Sequence, residues 1–402
     1  MALNADPQRL AELMRPGTLQ LASLPPLSLY VHLPWCLRKC PYCDFNSHES
    51  AEGLSETAAR SYLQALQADL EQALPLIWGR GIASVFIGGG TPSLFTPAHI
   101  DSLLSNLRAC LNLEPATEIT LEANPGTFER DRFRGYREAG VTRLSVGVQS
   151  FDDRKLAALG RVHNGDQARA AVAEAAECFE TFNLDLMYAL PNQSLAELRA
   201  ELDEAVGFKP PHLSLYHLSV EPNTRFALHP PPLPDADQAS EMLDLLAERA
   251  AAGGYERYEV SAYARPGHRC VHNLNYWTFG DYLGIGAGAH SKLSFPHRVL
   301  RQVRWREPRA YQEQALLGQA VSNEHEIGRA DLPFEFALNA LRLREGVPLA
   351  MFTERTGLPL STLQKAREQG IGQGLLLDDP ARLQATQRGF DFLNDLQGLF
   401  LA

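Results

Sequence analysis

The sequence has no uninterrupted apolar stretch on the order of 18 residues, so no membrane-spanning helix is expected. Its first residues lack a basic end followed by an apolar core. They carry Asp6 and Glu12, which speaks against a secretory signal or an organelle transit peptide. Positive charge is in deficit: 37 Lys and Arg face 48 Asp and Glu, a formal net charge of −11. That balance gives no general footprint for nucleic acid or an anionic membrane. Cysteine is scarce as well, six in 402 residues. A disulfide framework is not expected, and free thiols point to a reducing, cytoplasmic setting.

Three of those six cysteines fall within eight residues, Cys36-Leu37-Arg38-Lys39-Cys40-Pro41-Tyr42-Cys43, spaced C-x3-C-x2-C. Thiolate sulfur is a soft donor that selects iron–sulfur clusters, zinc and copper(I). Four thiolates would close a cubane cluster or a tetrahedral zinc site; three leave a metal position where a small molecule can bind. On a helix the three would share one face, but Pro41 disfavours helical geometry at Cys40, so a loop bracketed by Pro34 and Pro41 is expected. A structural zinc site would need a fourth ligand, which Asp44 or His48 could supply.

At this length more than one domain is expected. Strand candidates are Leu27–Leu33, Ser84–Ile87, Glu118–Glu122, Arg143–Val148, Asn183–Met187 and His212–Leu218, read as apolar runs buried on both faces of a parallel sheet. Helical patterns lie between them: Leu63, Leu66, Leu70 and Leu74 repeat at helical spacing, and Gln167 to Ala176 is Ala-rich. Six β–α repeats suggest a parallel barrel or an incomplete one, whose functional residues collect at the carboxyl ends of the strands. Each candidate strand does end in a polar or Gly-rich cluster: the cysteine loop, Gly88-Gly89-Gly90-Thr91-Pro92, Glu122-Ala123-Asn124-Pro125, Gly147-Val148-Gln149-Ser150-Phe151, Asp185 to Pro191, and His217 with Glu221-Pro222.

The remaining chain divides into residues 1–26, an appendage; 27–222, the barrel; 223–326, a flanking α+β segment; and 327–402, a small C-terminal unit. In the appendage Asp6-Pro7 reads as a helix start, with Leu10, Leu13 and Met14 on one side and a stop at Pro16-Gly17. The flanking segment reads as a loop over His229 to Pro234, a helix over Ala236 to Ala252 and a strand over Tyr255 to Tyr263. In the last unit helices are expected over Phe334 to Arg344 and Pro348 to Thr356, and from a Ser361 cap to Gln369. A hairpin around Asp378-Asp379-Pro380 and a final helix follow, a winged-helix-like order. From Asp331 on, seven Lys and Arg face nine Asp and Glu, so a DNA-binding regulator has no basic footprint here.

Chemically, the Gly88–Pro92 loop lacks the lysine of a phosphate loop, but its glycines let a ligand approach the backbone. Glu122, Gln149, Arg161 and Asp185 share the same rim; carboxylates accept from hydroxyls, and Arg161 can pair with a ligand carboxylate. His272 stands beside Tyr276 and Trp277. Imidazole is a common iron ligand, and the flat rings suit a planar macrocycle. Cys270, His290 and His217 are lesser candidates.

The motifs Tyr30-Val31-His32-Leu33-Pro34-Trp35-Cys36, Cys43-Asp44-Phe45-Asn46, Gly88–Pro92 and Gly147–Phe151 resemble those of the HemN/HemW group of the radical S-adenosylmethionine (SAM) superfamily. The resemblance runs from about Leu29 over nearly the whole chain. The group contains the oxygen-independent coproporphyrinogen III dehydrogenase and a related haem chaperone. The resemblance implies an incomplete parallel (β/α)6 radical SAM barrel, an added α+β segment and a small winged-helix-like C-terminal domain. It implies that Cys36, Cys40 and Cys43 ligate a [4Fe-4S] cluster whose fourth iron takes SAM. Tyr30, Tyr42, Gly89, Gly90, Thr91, Glu122, Gln149, Arg161 and Asp185 would line the SAM site, and His272 would contact haem. Dehydrogenase members carry a fourth cysteine two residues past the third, where this chain has Phe45. The His272–Trp277 motif is similar to the signature of the chaperone members. The function implied is a cytoplasmic haem chaperone serving respiratory proteins at the membrane. A homodimer and a haem donor such as bacterioferritin are compatible with it, and no nucleic acid is expected. The alternative is decarboxylation of coproporphyrinogen III by the dehydrogenase.

Overall fold

Alternation, rather than unbroken apolarity, is what the central strands carry. The chain is described here by a computed structural model over residues 11–77, 79–126 and 129–401. In β1 (Leu27–Leu33), Leu27, Leu29, Val31 and Leu33 are buried against α1 (Glu56–Ile77) and its neighbours, while Ser28, Tyr30 and His32 alternate onto the other face. The same period-2 pattern runs through β2 (Gly81–Gly89), β3 (Asn112–Ala123), β4 (Arg143–Gln149), β5 (Thr181–Tyr188) and β6 (His212–His217). Both faces are buried, as expected, but one is aliphatic and the other is built largely from Ser, Thr, Asn, Asp, Glu, His and Arg. Buried polar groups must be bonded to one another or to something else, so the second face lines a barrel interior rather than a hydrocarbon core.

Helices α1, α2 (Pro97–Cys110), α3 (Glu129–Ala139), α4 (Gly165–Cys178) and α5 (Leu195–Gly207) separate the six parallel strands. Their starts are local chemistry: Thr96, Asn164 and Ser194 each accept from the backbone N–H three residues on, with a reciprocal side-chain bond. Helix α6 (Ala236–Ala252) begins at Asp235 in the same way.

The flanking segment departs from expectation. Tyr255 to Tyr263 is not one strand: Glu256–Arg257 and Ala262–Ala264 pair antiparallel, and the second covers the outer edge of β6. Beyond α7 (Val271–Trp277), β7 (Asp281–Ile285) pairs parallel to β1 and becomes a seventh parallel strand. β8 (His290–Phe295), β9 (Arg298–Arg304) and β10 (Val321–Glu326) continue the sheet antiparallel, to twelve strands. The polar start of β7 is held by Asp281, which pairs with Lys292 at 2.8 Å and Arg80 at 2.9 Å and accepts from Ser294. The sheet does not close, since β6 and β7 face different neighbours.

A second core gathers Phe336, Leu341, Phe352, Leu363 and Leu396 with Tyr258, Phe279 and Val299 from the flanking segment. Leu19 and Leu21 are buried in it too, and Leu21 donates its N–H to Pro296 O at 2.9 Å. This stretch of the expected appendage is therefore packed into the molecule; its expected helix start at Asp6-Pro7 and Leu10 lie outside the described residues. The C-terminal unit has helices Leu332–Ala340, Leu349–Thr356 and Gln364–Gly372, and the small pairing of Val347–Pro348 with Arg382–Leu383. Ser361 does not cap: it lies in a 3-10 turn, Leu360–Leu363, and the expected hairpin is reduced to a bridge between Leu376 and Ala385. The chain ends in two short helices, Gln387–Asp391 and Leu393–Gly398, in place of one.

Candidate functional site

The cysteine segment leaves β1 as an irregular loop, pinned at both ends. Trp35–Cys36 pairs with His48–Glu49, and Cys43 N–H closes a turn on Cys40 O at 3.2 Å. Lys39 Nζ reaches back to the carbonyls of Phe45 and Ser47. Asn46 holds the exit: its side-chain amide donates to Ala287 O at 2.9 Å and Arg306 O at 2.8 Å, and His32 Nε2 lies 2.9 Å from Asn46 O. Gly288 must be glycine for this, because a Cβ there would lie 2.5 Å from the Asn46 amide and its φ is +74°. Phe45 projects from the loop with 63% of its surface exposed.

Cys36, Cys40 and Cys43 are close enough to perturb one another, and burial pushes the Cys36 and Cys43 thiols up. Among the described residues, no three His, Cys, Asp or Glu side chains converge on a single ion. Three soft thiolates on one loop are a donor set that fits a cluster held at three corners.

Around this loop the strand ends supply a polar floor. Gly89, at φ +118°, passes so close to His32 that a Cβ would sit 2.6 Å from its ring, and a Cβ on Gly90 would sit 2.6 Å from Trp35 O. The glycines thus seat the second strand end against the cysteine loop, with Gly90 N–H on Leu33 O and Thr91 N–H on Trp35 O. Thr91 stands beside the Cys36 thiol and accepts from Asn124 at 2.8 Å. Arg161 lies 3.7 Å from Cys40 Sγ, bonds Tyr42, and donates to Gly147 O at 2.9 Å and to Asn124 Oδ1. Its buried Nε has no partner among the described residues, an orphan donor at the rim that suits a ligand oxygen. Gln149 takes φ +65°, left-handed for a non-glycine, which turns its amide toward Gly147 and this cluster.

Glu122 accepts from Gly89 N–H at 3.1 Å, and burial, with the nearby Asp185 carboxylate, pushes its pKa up to about 7. Asp185 is already occupied: Ser145 donates to one oxygen at 3.0 Å and Asn183 to the other at 2.8 Å. Tyr30 spans the interior, its hydroxyl 3.1 Å from His32 Nδ1 and its ring stacked on Phe86. The structure therefore brings Tyr42, Gly89, Gly90, Thr91, Glu122, Gln149 and Arg161 to one mouth with the three cysteines, and places Asp185 and Tyr30 deeper in the interior, the Tyr30 ring 6.4 Å from that of His272.

His272 lies at the opposite mouth. It is 4% exposed, with Nδ1 3.0 Å from Ser84 Oγ, which in turn lies 2.8 Å from Ser28 Oγ. Its ring packs on Phe86 at 5.0 Å and Tyr276 at 5.2 Å, and burial followed by the charge of Arg143 lowers its pKa to about 3. Helix α7 plugs the amino ends of β1, β2 and β7. Glu118 of β3 accepts from Val271 N–H at 3.0 Å, His272 N–H at 3.3 Å and Cys270 Sγ at 3.6 Å. His217 ends β6 and His290 begins β8, neither of them part of this plug.

Sequence reasoning gave no site role to Asn46, Asn124 or Glu118. Asn124 stood in a quoted strand-end cluster. Glu118 heralds itself only through period-2 polarity, which the apolar-run reading overlooked.

The radical SAM superfamily profile matches residues 30–205, and the HemN C-terminal domain profile matches residues 327–392. The haem chaperone HemW of Escherichia coli K12 is 46% identical over 95% of this chain and 100% of its own length. HemW of Haemophilus influenzae is 46% identical over 95% of this chain and 99% of its own length. HemW of Mycobacterium tuberculosis is 37% identical over 92% and 94%. Among solved structures, coproporphyrinogen III oxidase (HemN) of E. coli, a radical SAM enzyme, superposes with a TM-score of 0.82 over 100% of this chain and 95% of that one. Its identity is 23%, so this likeness establishes the barrel with its C-terminal unit and no more. With relatives at this identity over their full length, the chain belongs to the HemW family of the radical SAM superfamily.

Proposed function

We propose that this protein binds haem and hands it to acceptor proteins. The observation that carries the proposal is the 46% identity to a haem chaperone across that protein's entire length. Respiratory proteins at the cytoplasmic membrane are the proposed acceptors, a bacterioferritin-type protein the proposed donor, and the cytoplasm the proposed compartment. No helix among the described residues is long and apolar enough to cross a membrane. A homodimer is the proposed assembly.

Cys36, Cys40 and Cys43 would hold the [4Fe-4S] cluster. Gly89, Gly90, Thr91, Glu122, Gln149 and Arg161 would receive SAM, with Tyr30, Tyr42 and Asp185 behind them. When bound, the cluster supplies one-electron reduction at a site sheltered from water. The chain's own part is positional. Asn46 and Lys39 fix the loop, Gly89 brings backbone close, and Glu122, pushed to about 7, can hold a proton at neutral pH and donate from its carboxyl. His272 is the proposed haem contact, and because its ring is enclosed, reaching haem requires α7 to leave the barrel mouth.

Titration of the purified protein with haem tests this. One equivalent should bind, and His272→Ala should lower the stoichiometry or change the absorption spectrum; identical titrations would remove the role given to His272. In parallel, anaerobic incubation with coproporphyrinogen III should give no stoichiometric decarboxylation. Turnover would replace the chaperone reading with the dehydrogenase one.

A further inference from the structure

Between the cysteine loop, the Ala157–Gly160 turn and the Arg225–His229 segment is a cavity of about 340 Å³. Its rim carries Arg38, Lys39, Arg225 and His229, and its floor includes Pro41 and Phe226. The loop and the short helix Arg225–Leu228 are tied together across it by Phe226 N–H on Pro41 O at 2.9 Å. Among the described residues, no carboxylate lines the cavity. Among the described residues, neither Arg38 nor Arg225 has an acidic partner, although the chain as a whole carries a net charge of −11. Two unpaired guanidiniums and an imidazole over an apolar floor define a ligand with an apolar body and more than one anionic group. The volume falls within the range of small-ligand sites. Leu228, 76% exposed on the same helix, extends the apolar surface outward.

We infer that this cavity receives the carboxylate-bearing edge of a dicarboxylic tetrapyrrole, the propionate side of haem. The inference rests on the haem reading above and locates a docking point that needs no movement of α7. Arg38 lies between two of the cluster cysteines, so a ligand seated here touches the loop that holds them.

The test uses the full chain and metal-free protoporphyrin IX, whose binding does not depend on an iron ligand, alongside its dimethyl ester. The wild type should bind the diacid about tenfold more tightly than the diester. Arg38→Gln/Arg225→Gln should lose that preference, with its melting unchanged because both side chains are exposed, and Arg38→Lys/Arg225→Lys should regain part of it. Inorganic phosphate should not displace the porphyrin. Equal affinity for diacid and diester, a preference kept in the Gln variant, or displacement by phosphate would each overturn the inference. If the porphyrin behaves as expected and haem itself is not retained, the chaperone reading fails while the cavity stands. If haem is retained and the Gln variant keeps its preference, the reverse holds.

Discussion

At the carboxyl ends of β1–β6 the barrel offers three thiols, two glycines pressed against their neighbours, a carboxyl group pushed to about 7 and an orphaned arginine Nε. At the amino ends of the same strands, α7 fills the opening. Glu118 takes up its first backbone N–H groups, and a Ser28–Ser84–His272 chain ties its histidine down. Both ends keep an orphan donor, Arg161 Nε at the first and Arg143 Nε with Trp277 Nε1 at the second, but only the second is closed by a helix of its own chain. At the second end a ligand must compete with bonds already made, to Glu118 and to the Ser28–Ser84 pair.

The hardest break is at the first end. Cys36→Ser should abolish cluster assembly: after anaerobic reconstitution, iron and sulfide should fall to background, while hydrogen exchange of residues 271–277 stays as in the wild type. A full complement of iron in this variant would remove the three-cysteine assignment.

Next in size is the latch at the second end. Glu118→Ala strips the partners from Val271 N–H and His272 N–H and removes one of the two carboxylates that act on Arg143. The local cost should be roughly 1–3 kcal/mol. Amide exchange over 271–277 should accelerate by one to two orders of magnitude, with no change in the cysteine loop. Equal acceleration at both places would mean that the two mouths open together.

The finest distinction is in pH. Below the ordinary histidine value of 6.5, the unfolded chain takes up a proton that buried His272 refuses until about pH 3. Stability from this group is therefore lost as pH falls through that window. Glu122 works the other way: between 4.5 and about 7 the folded protein keeps a proton that the unfolded chain has shed, so stability is lost as pH rises. Each contribution is bounded by about 1.4 kcal/mol per pH unit. Urea unfolding of the apo protein across pH 4–8 should show His272→Gln flattening the acid side and Glu122→Gln flattening the neutral side. Other buried histidines, His32 and His163 among them, keep some acid-side slope in both. If the two substitutions flatten the same side, the opposition between the mouths is wrong.

The carboxyl-end mouth was largely legible in the sequence. Its cysteines, glycines and acidic strand ends are local, a few residues apart, and their chemistry is distinctive. The strand ranges followed from short β-rich runs between helices. What stayed hidden is non-local. β7 begins with a charged residue, carries Gly284 and is followed by Gly286, so nothing nearby marks it as a strand; its place is set by Leu27 and Tyr30 far upstream. His272 was picked out, but its enclosure depends on Ser84 and Glu118, which appear polar and ordinary in isolation. Phe45 was noted for what it replaces, and only the fold shows that it is exposed.

The clasp on the cysteine loop has a consequence for how each molecule is made. Asn46 is held by carbonyls 241 and 260 residues further along the chain. Ribosomes deliver the amino end first, so the nascent loop waits, unclasped, until Arg306 has left the exit tunnel. A translation product that stops before Ala287 therefore has neither of these two bonds to hold the exit of its cysteine loop.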